Sequence, residues 1–184
     1  KGQQYSYVQF DDLETIEHTK LKPVTVTLFV SGERKILGFG VARIKAKGHL
    51  AELSLKKYGP RKNEAPFMRE RVFSQVKTYI HPLALIQSDK HPSYPDLVKK
   101  HFPKAEFSCF RSKRPSVGGQ GELKKTGYDP LFKINHTLAM LRANISRLIR
   151  RTWNTTKCIE CLRDHLMIYM DYHNLVLTCS ADLD

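Results

Sequence analysis

Leu83-Ala84-Leu85-Ile86-Gln87-Ser88-Asp89 is a short apolar run that ends in a carboxylate, and Lys90-His91-Pro92-Ser93-Tyr94 follows it with a turn and a helix start. An apolar run of this length, bounded by prolines, predicts a buried strand. Asp89 then stands where the strand stops, at the carboxyl edge of a sheet, where open α/β sheets carry their ligands. Tyr5-Ser6-Tyr7-Val8-Gln9-Phe10-Asp11-Asp12 has the same shape. Two strands that each end in Asp suggest two carboxylates on neighbouring strand ends. That arrangement holds a divalent metal at a phosphate.

The flanking segments supply the rest of a mixed sheet. Val24-Thr25-Val26-Thr27-Leu28-Phe29-Val30 is β-branched and apolar, which predicts a strand. Ser31-Gly32-Glu33-Arg34 supplies a turn, and Lys35 to Ile44 predicts a third strand, with Gly38 and Gly40 marking a bulge or a close approach. Short links between these strands imply an antiparallel meander. Lys45 to Pro66 is polar and predicts a loop, or a short helix plus loop. Met68, Val72, Val76 and Ile80 recur every four positions and predict a helix from Pro66 to Ile80, stopped by His81-Pro82. Tyr94 to Phe102 predicts a short helix with Leu97 and Val98 inward, and Ala105 to Phe110 a fifth strand.

Arg111 to Asp129 is a loop rich in Gly, Lys and Arg. Its Gly118-Gly119-Gln120-Gly121 lacks the Gly-Lys-Ser/Thr ending of a phosphate-binding P-loop. Its basic residues either touch a nucleic-acid backbone or form a solvated linker. Asp129 as cap and Pro130 in the first turn then open what reads as the longest helix. Ile134, Leu138, Leu141, Ile145 and Leu148 make its apolar stripe, with Asn135, Arg142 and Ser146 on an adjacent face. A last helix is predicted from Thr156 to Tyr172, with Cys158, Leu162, Leu166 and Tyr169 inward.

A chain of 184 residues with 41% hydrophobic residues fits one α/β domain spanning 1–184. No apolar run approaches the roughly 20 residues that span a bilayer. The formal charge is +13, from 31 Lys and Arg against 18 Asp and Glu. It is concentrated between Lys100 and Arg151, where twelve Lys and Arg face only Glu106, Glu122 and Asp129. A concentrated basic surface attracts polyanions, nucleic acid first among them. The cysteines are Cys109, Cys158, Cys161 and Cys179. Cys158 and Cys161 form a Cys-x-x-Cys with no second pair to complete a zinc site, so reduced thiols are the plain expectation. The start carries neither an initiator Met nor a signal-like segment, as in a fragment or a trimmed chain that lacks N-terminal modules.

The run Ile134-Asn135-His136-Thr137-Leu138-Ala139-Met140-Leu141-Arg142-Ala143-Asn144-Ile145-Ser146-Arg147-Leu148-Ile149-Arg150-Arg151-Thr152 resembles the C-terminal catalytic helix of transposases of the insertion-sequence-one group. Phe10-Asp11-Asp12-Leu13-Glu14 is similar to that family's first acidic segment, and Ser88-Asp89 to its second. The resemblance implies a ribonuclease H-like fold: a mixed five-stranded sheet flanked by helices, in which the first and fourth strands are neighbours. It implies a DDE-type nuclease and strand transferase using two Mg²⁺ (or Mn²⁺) ions about 4 Å apart at the scissile phosphate. Asp11 corresponds to the bridging ligand and Asp89 to a ligand of one ion. Where the family has Glu this chain has Asn135. Either Asn135 acts as a neutral ligand, with Glu122 supplying charge and His136 assisting, or catalysis is weakened or lost.

The implied partners are double-stranded DNA, as element ends and target, and further copies of the chain on that DNA. Neither a membrane nor a small-molecule substrate is implied. The implied setting is the bacterial cytoplasm, associated with the nucleoid when on DNA. Arg111, Lys113, Arg114, Lys124, Lys125, Arg142, Arg147, Arg150 and Arg151 are the expected DNA contacts. Two other functions stay open: a domesticated domain that holds DNA without cutting it, and a ribonuclease H-type nuclease. His91, Ser93 and Tyr94 could contact phosphate or simply cap and pack. Asp12 and Glu14 read as outer neighbours of Asp11.

Overall fold

Three antiparallel strands open the chain: β1 (Tyr5–Glu17), β2 (Thr19–Ser31) and β3 (Ile36–Arg43). The computed structural model describes residues 3–111, 129–148 and 154–178. Lys113, Arg114, Glu122, Lys124, Lys125, Arg150, Arg151 and Trp153 lie outside them, as does Cys179. β4 (Ile80–Asp89) pairs with β1 in parallel, and β5 (Glu106–Phe110) pairs with β4 in parallel. The sheet order is β3-β2-β1-β4-β5. The helices are α1 (Leu50–Tyr58), α2 (Ala65–Val76), α3 (Tyr94–His101), α4 (Phe132–Asn144) and α5 (Ile159–Tyr172). The expected α/β architecture, a five-stranded mixed sheet flanked by helices, is therefore present.

Strand alternation divides the core between two faces. Val8, Phe10, Phe29, Ala84 and Ile86 pack with Val72, Phe73 and Val76 of α2 and Tyr94 and Val98 of α3. Leu13, Val24, Val26 and Leu28 pack with Ile134, Leu138 and Leu141 of α4 and Ile159, Leu162 and Leu166 of α5. The edge of β3 is covered rather than open: the Asn174 amide bonds both backbone groups of Ile36, at 2.8 Å each.

Several expected boundaries move, and four of the shifts have a plain physical reason. β1 does not stop at Phe10 but runs on to Glu17, so Asp11 and Asp12 lie inside it. Its second half keeps Leu13 and Ile16 buried and pairs with β2, Ile16 opposite Pro23 and, after a register shift, Glu17 opposite Thr19, turning at His18 with φ 66°. The helix expected to reach Ile80 ends at Val76, a 3₁₀ turn covers Lys77–Tyr79, and Ile80 begins β4. Ile80 stays buried in the α2-side core, while Pro82 demands an extended residue before it. The helix expected to continue past Leu148 breaks at Ile145 (φ −108°, ψ 97°), and a 3₁₀ turn follows at Ser146–Leu148. Asn144 turns its amide back onto the Met140 carbonyl at 2.8 Å, a local bond that competes with helix continuation, yet the whole stripe through Leu148 remains buried. The last helix starts at Ile159, with Cys158 as its extended N-cap rather than an inward helical residue. Within the open 45–66 segment, α1 resolves the alternative in favour of a short helix.

Gly38 and Gly40 mark a close approach by α2. A Cβ on Gly40 falls 2.5 Å from Val72 Cγ2 and 2.7 Å from Met68 Cγ; one on Gly38 falls 2.7 Å from Val76 Cγ1. Gly40→Ala is therefore expected to destabilise the fold by about 1–3 kcal/mol, although alanine is ordinarily the better strand residue. Urea unfolding measures this, and an unchanged midpoint contradicts the contact. No helix among the described residues is long and apolar enough to cross a membrane.

Candidate active site

Gln9-Phe10-Asp11 on β1 and Gln87-Ser88-Asp89 on β4 share a Gln-x-Asp pattern. The parallel ladder sets them side by side: Gln9 pairs with Gln87 and Phe10 with Ser88 as its last two rungs. Asp11 and Asp89 follow directly on each strand. Alternation puts Gln9, Asp11 and Leu13 on the α4 side, and Phe10 and Asp12 on the α2 side.

Gln9 fixes α4 over this strand pair. It is fully buried, and its amide nitrogen donates to the Pro130 carbonyl (2.6 Å), Tyr7 Oη (2.6 Å) and Gln87 Oε1 (3.0 Å). Its Oε1 accepts the Ile134 N–H at 3.0 Å. That N–H belongs to the first turn of α4, where helices leave donors unpaired. The N-cap, Leu131, offers no side-chain acceptor, so β1 supplies the missing cap.

Asp11 is held in a dry, negative place. Its Oδ1 accepts the Asp12 N–H at 2.7 Å. Burial, then the neighbouring Asp89 carboxylate, pushes its pKa up to about 7, with Arg142 of α4 pulling weakly the other way. Asp89 is also raised, by burial first, against the opposing pull of His91. A buried carboxyl beside a second carboxylate holds its proton above the ordinary range, and this falls on Asp11. Asp89 Oδ1 is buried and has no hydrogen-bond partner. A buried, unpartnered carboxylate oxygen is costly unless a cation or proton meets it.

Asp12 has a different job on the opposite face. Arg69 grips its Oδ2 through Nε (2.9 Å) and through Nη2, and Thr27 Oγ1 donates to its Oδ1 at 2.5 Å. Arg69 also reaches Ser93 Oγ at 3.2 Å and lies over the Tyr94 ring. Asp12 is thereby neutralised, which is why the chain can carry two acids inside β1. His91 Nδ1 faces Ser93 Oγ at 2.9 Å, and burial lowers its pKa. Tyr94 is a core residue, and burial raises its pKa. Glu14 is partly exposed and pairs with Lys47 at 2.6 Å.

No protein-family model and no curated protein matches this chain.

The other predicted residues are placed as follows. Asn135 lies in the first turns of α4, and its amide nitrogen donates to Asp129 Oδ2 at 2.9 Å. His136 turns toward Arg34, 3.1 Å from Nη1 to Nδ1. Among the described residues, no three of His, Cys, Asp and Glu gather as a metal-ligating group. Arg111 and Arg142 are exposed and Arg147 is half-buried. The helix does not open at Asp129 and Pro130 as expected: it begins at Phe132 with Leu131 as N-cap, and Asp129, two residues before Leu131, accepts the Leu131 N–H at 3.0 Å and takes the Asn135 amide.

The residues that sequence reasoning missed are Gln9, Gln87 and Arg69. A signal existed for the first two. Each stands two positions before an Asp in a buried strand, and period two puts it on that Asp's face. Arg69 had none, since an arginine on an amphipathic helix ordinarily faces solvent.

Proposed function

We propose that this chain is the ribonuclease H-like catalytic domain of a DNA transposase, cutting and joining DNA at a divalent-cation site held by Asp11 and Asp89. The observation that carries the proposal is the pair itself. Two carboxylates follow the last rung of a parallel strand pair, one with a raised pKa and the other with a buried, unpartnered oxygen. The order β3-β2-β1-β4-β5, with only β2 antiparallel to its neighbours, agrees with the fold that the helix resemblance implies.

The all-oxygen donor set suits Mg²⁺ or Mn²⁺ rather than a softer metal. When bound, such ions activate an attacking hydroxyl and stabilise the leaving oxygen of a phosphodiester. The chain's own residues bind and orient. Asp11 and Asp89 hold the cation, Gln9 locks α4 above them, and Arg111 and Arg142 draw in phosphate. The Asp12–Arg69 pair engages the second acid of β1 on the opposite face, so Asp12 does not offer a further free carboxylate. Holding two element ends together calls for more than one copy of the chain on DNA.

Calorimetric titration with Mn²⁺, in the presence of duplex DNA, tests the proposal. Binding by the parent that disappears in Asp89→Ala supports it. No binding by the parent, with DNA affinity intact, overturns it.

One observation favours a second reading, a DNA-holding domain without cleavage. Where the resemblance has an acid this chain has the uncharged Asn135, whose amide nitrogen donates to Asp129 Oδ2 and so orients it toward that residue. Asn135→Glu separates the two readings. In a retired nuclease this single change is expected to bring out Mn²⁺-dependent nicking that the parent lacks. In an active enzyme the parent already nicks.

A further inference from the structure

α5 begins with Cys158-Ile159-Glu160-Cys161, and both thiols stand at its first turn. Cys158 is the N-cap, with extended backbone at φ −140° and ψ 129°. Its Sγ accepts the Cys161 N–H at 3.5 Å and donates its own proton to Glu160 Oε2 at 3.1 Å. Cys161 is exposed and Cys158 partly so, and neither is in a disulfide. Residues three apart on a helical turn have Cβ atoms about 5–6 Å apart, a small rotation from the span of a disulfide. A structural metal needs about four ligands. Among the described residues no three of His, Cys, Asp and Glu gather as a group that could hold a metal, and Glu160 is the one such side chain, besides the cysteines themselves, bonded to either sulfur here.

We infer that Cys158 and Cys161 form a redox dithiol that closes reversibly to a disulfide by exchange with a low-molecular-weight disulfide of the glutathione type. The order of events follows from the hydrogen bonds. Cys161 is the accessible thiol and attacks first. Its proton goes to solvent, its thiolate bonds one sulfur of the external disulfide, and the other leaves as a thiolate that takes up a proton. Cys158 then attacks the Cys161 sulfur, and the second external sulfur leaves as a thiol. Two protein thiols are oxidised, one external disulfide is reduced to two thiols, and the protons balance.

Glu160 accepts the Cys158 proton until the second step and so keeps that sulfur in reserve. The Cys161 amide pulls the Cys158 pKa down, but the Glu160 carboxylate and the Cys161 thiol outweigh it and leave it raised. The bond forms beside a fixed anchor. Thr156, two residues earlier, accepts the His18 N–H at 2.6 Å and bridges to Glu17 at the β1–β2 turn.

The test uses the full chain with Cys109→Ser and Cys179→Ser, equilibrated in glutathione redox buffers and read by intact mass. The expected product has lost two hydrogens, carries no adduct and is restored by dithiothreitol. Adding Cys158→Ser is expected to trap one glutathione on Cys161. Adding Cys161→Ser is expected to slow the reaction about tenfold. The intramolecular disulfide should form with an equilibrium constant about tenfold higher in the folded chain than in urea, because the turn holds the sulfurs together. Stable mixed disulfides on the two-thiol protein, or equal constants folded and unfolded, overturn the inference.

Discussion

Asp11→Asn is expected to abolish cation-dependent DNA cleavage while stabilising the cation-free protein above neutral pH. The loss follows from removing a charged oxygen ligand, worth several kcal/mol in the transition state, or about a thousandfold in rate. The gain follows from the pKa of Asp11, raised from 3.8 to about 7 in the folded chain. Below pH about 4 the carboxyl is protonated folded and unfolded, and its burial as a neutral group costs little. Between about pH 4 and 7 the unfolded chain releases the proton first, so stability falls as pH rises. Above pH 7 the whole penalty is present, about 4 kcal/mol.

Asparagine keeps the oxygen that accepts the Asp12 N–H and removes that penalty. Thermal unfolding from pH 4 to 8 checks both halves. The parent should lose stability across this range and regain it with Mn²⁺, with affinity rising toward pH 7 as protons stop competing. The variant should show a flatter profile and no response to Mn²⁺. A parent whose stability is flat from pH 4 to 7 sinks the assignment of Asp11 as the proton-holding member of the pair.

Gln9→Leu is expected to be the most damaging single change outside the carboxylates, at about 3–5 kcal/mol. The leucine fills much of the same space, so the cost is polar. The buried Ile134 N–H and the Pro130 carbonyl both lose their side-chain partner, and Gln87 and Tyr7 lose a shared donor. Each buried group left unsatisfied costs about 1–3 kcal/mol. Urea unfolding monitored by circular dichroism measures the loss, and a change below about 1 kcal/mol contradicts the role of Gln9 as the cap of α4. The companion variant Gln87→Leu removes one acceptor of a shared donor and should cost less, because Gln9 keeps its bonds to α4.

The contrast between Gln9 and Asp11 shows where local pattern stops being informative. Both sit on β1, on the same face, two residues apart. Asp11 was legible because an acid after an apolar run is an exception to strand composition, and Asp89 repeats it. Gln9 is inside the run, where one amide among Val8 and Phe10 carries no local signature. Its meaning lies in Ile134, 125 positions away. Asp12 misled in the same way. Two adjacent acids predict a strand end, but Arg69, 57 positions away, neutralises the second and the strand continues. The break at Ile145 escaped for a related reason. The stripe from Ile134 to Leu148 is buried throughout, and apolar spacing reports burial, not whether the backbone between the buried residues stays helical.

By itself, then, the sequence marked the five strands, the helices after its polar 45–66 segment, and an acid at the end of each of two apolar runs, Asp11 and Asp89, because each is written in residues that are neighbours along the chain; it left Gly38 and Gly40 between a bulge and a close approach. The register that sets Gln9 against Gln87, the length of β1, the capping of α4 from the sheet and the neutralised Asp12 were decided only in the tertiary structure. Periodicity records which side of an element is buried. It does not record which distant polar group will meet it there, and buried polar atoms are satisfied by partners that only the folded chain brings within reach.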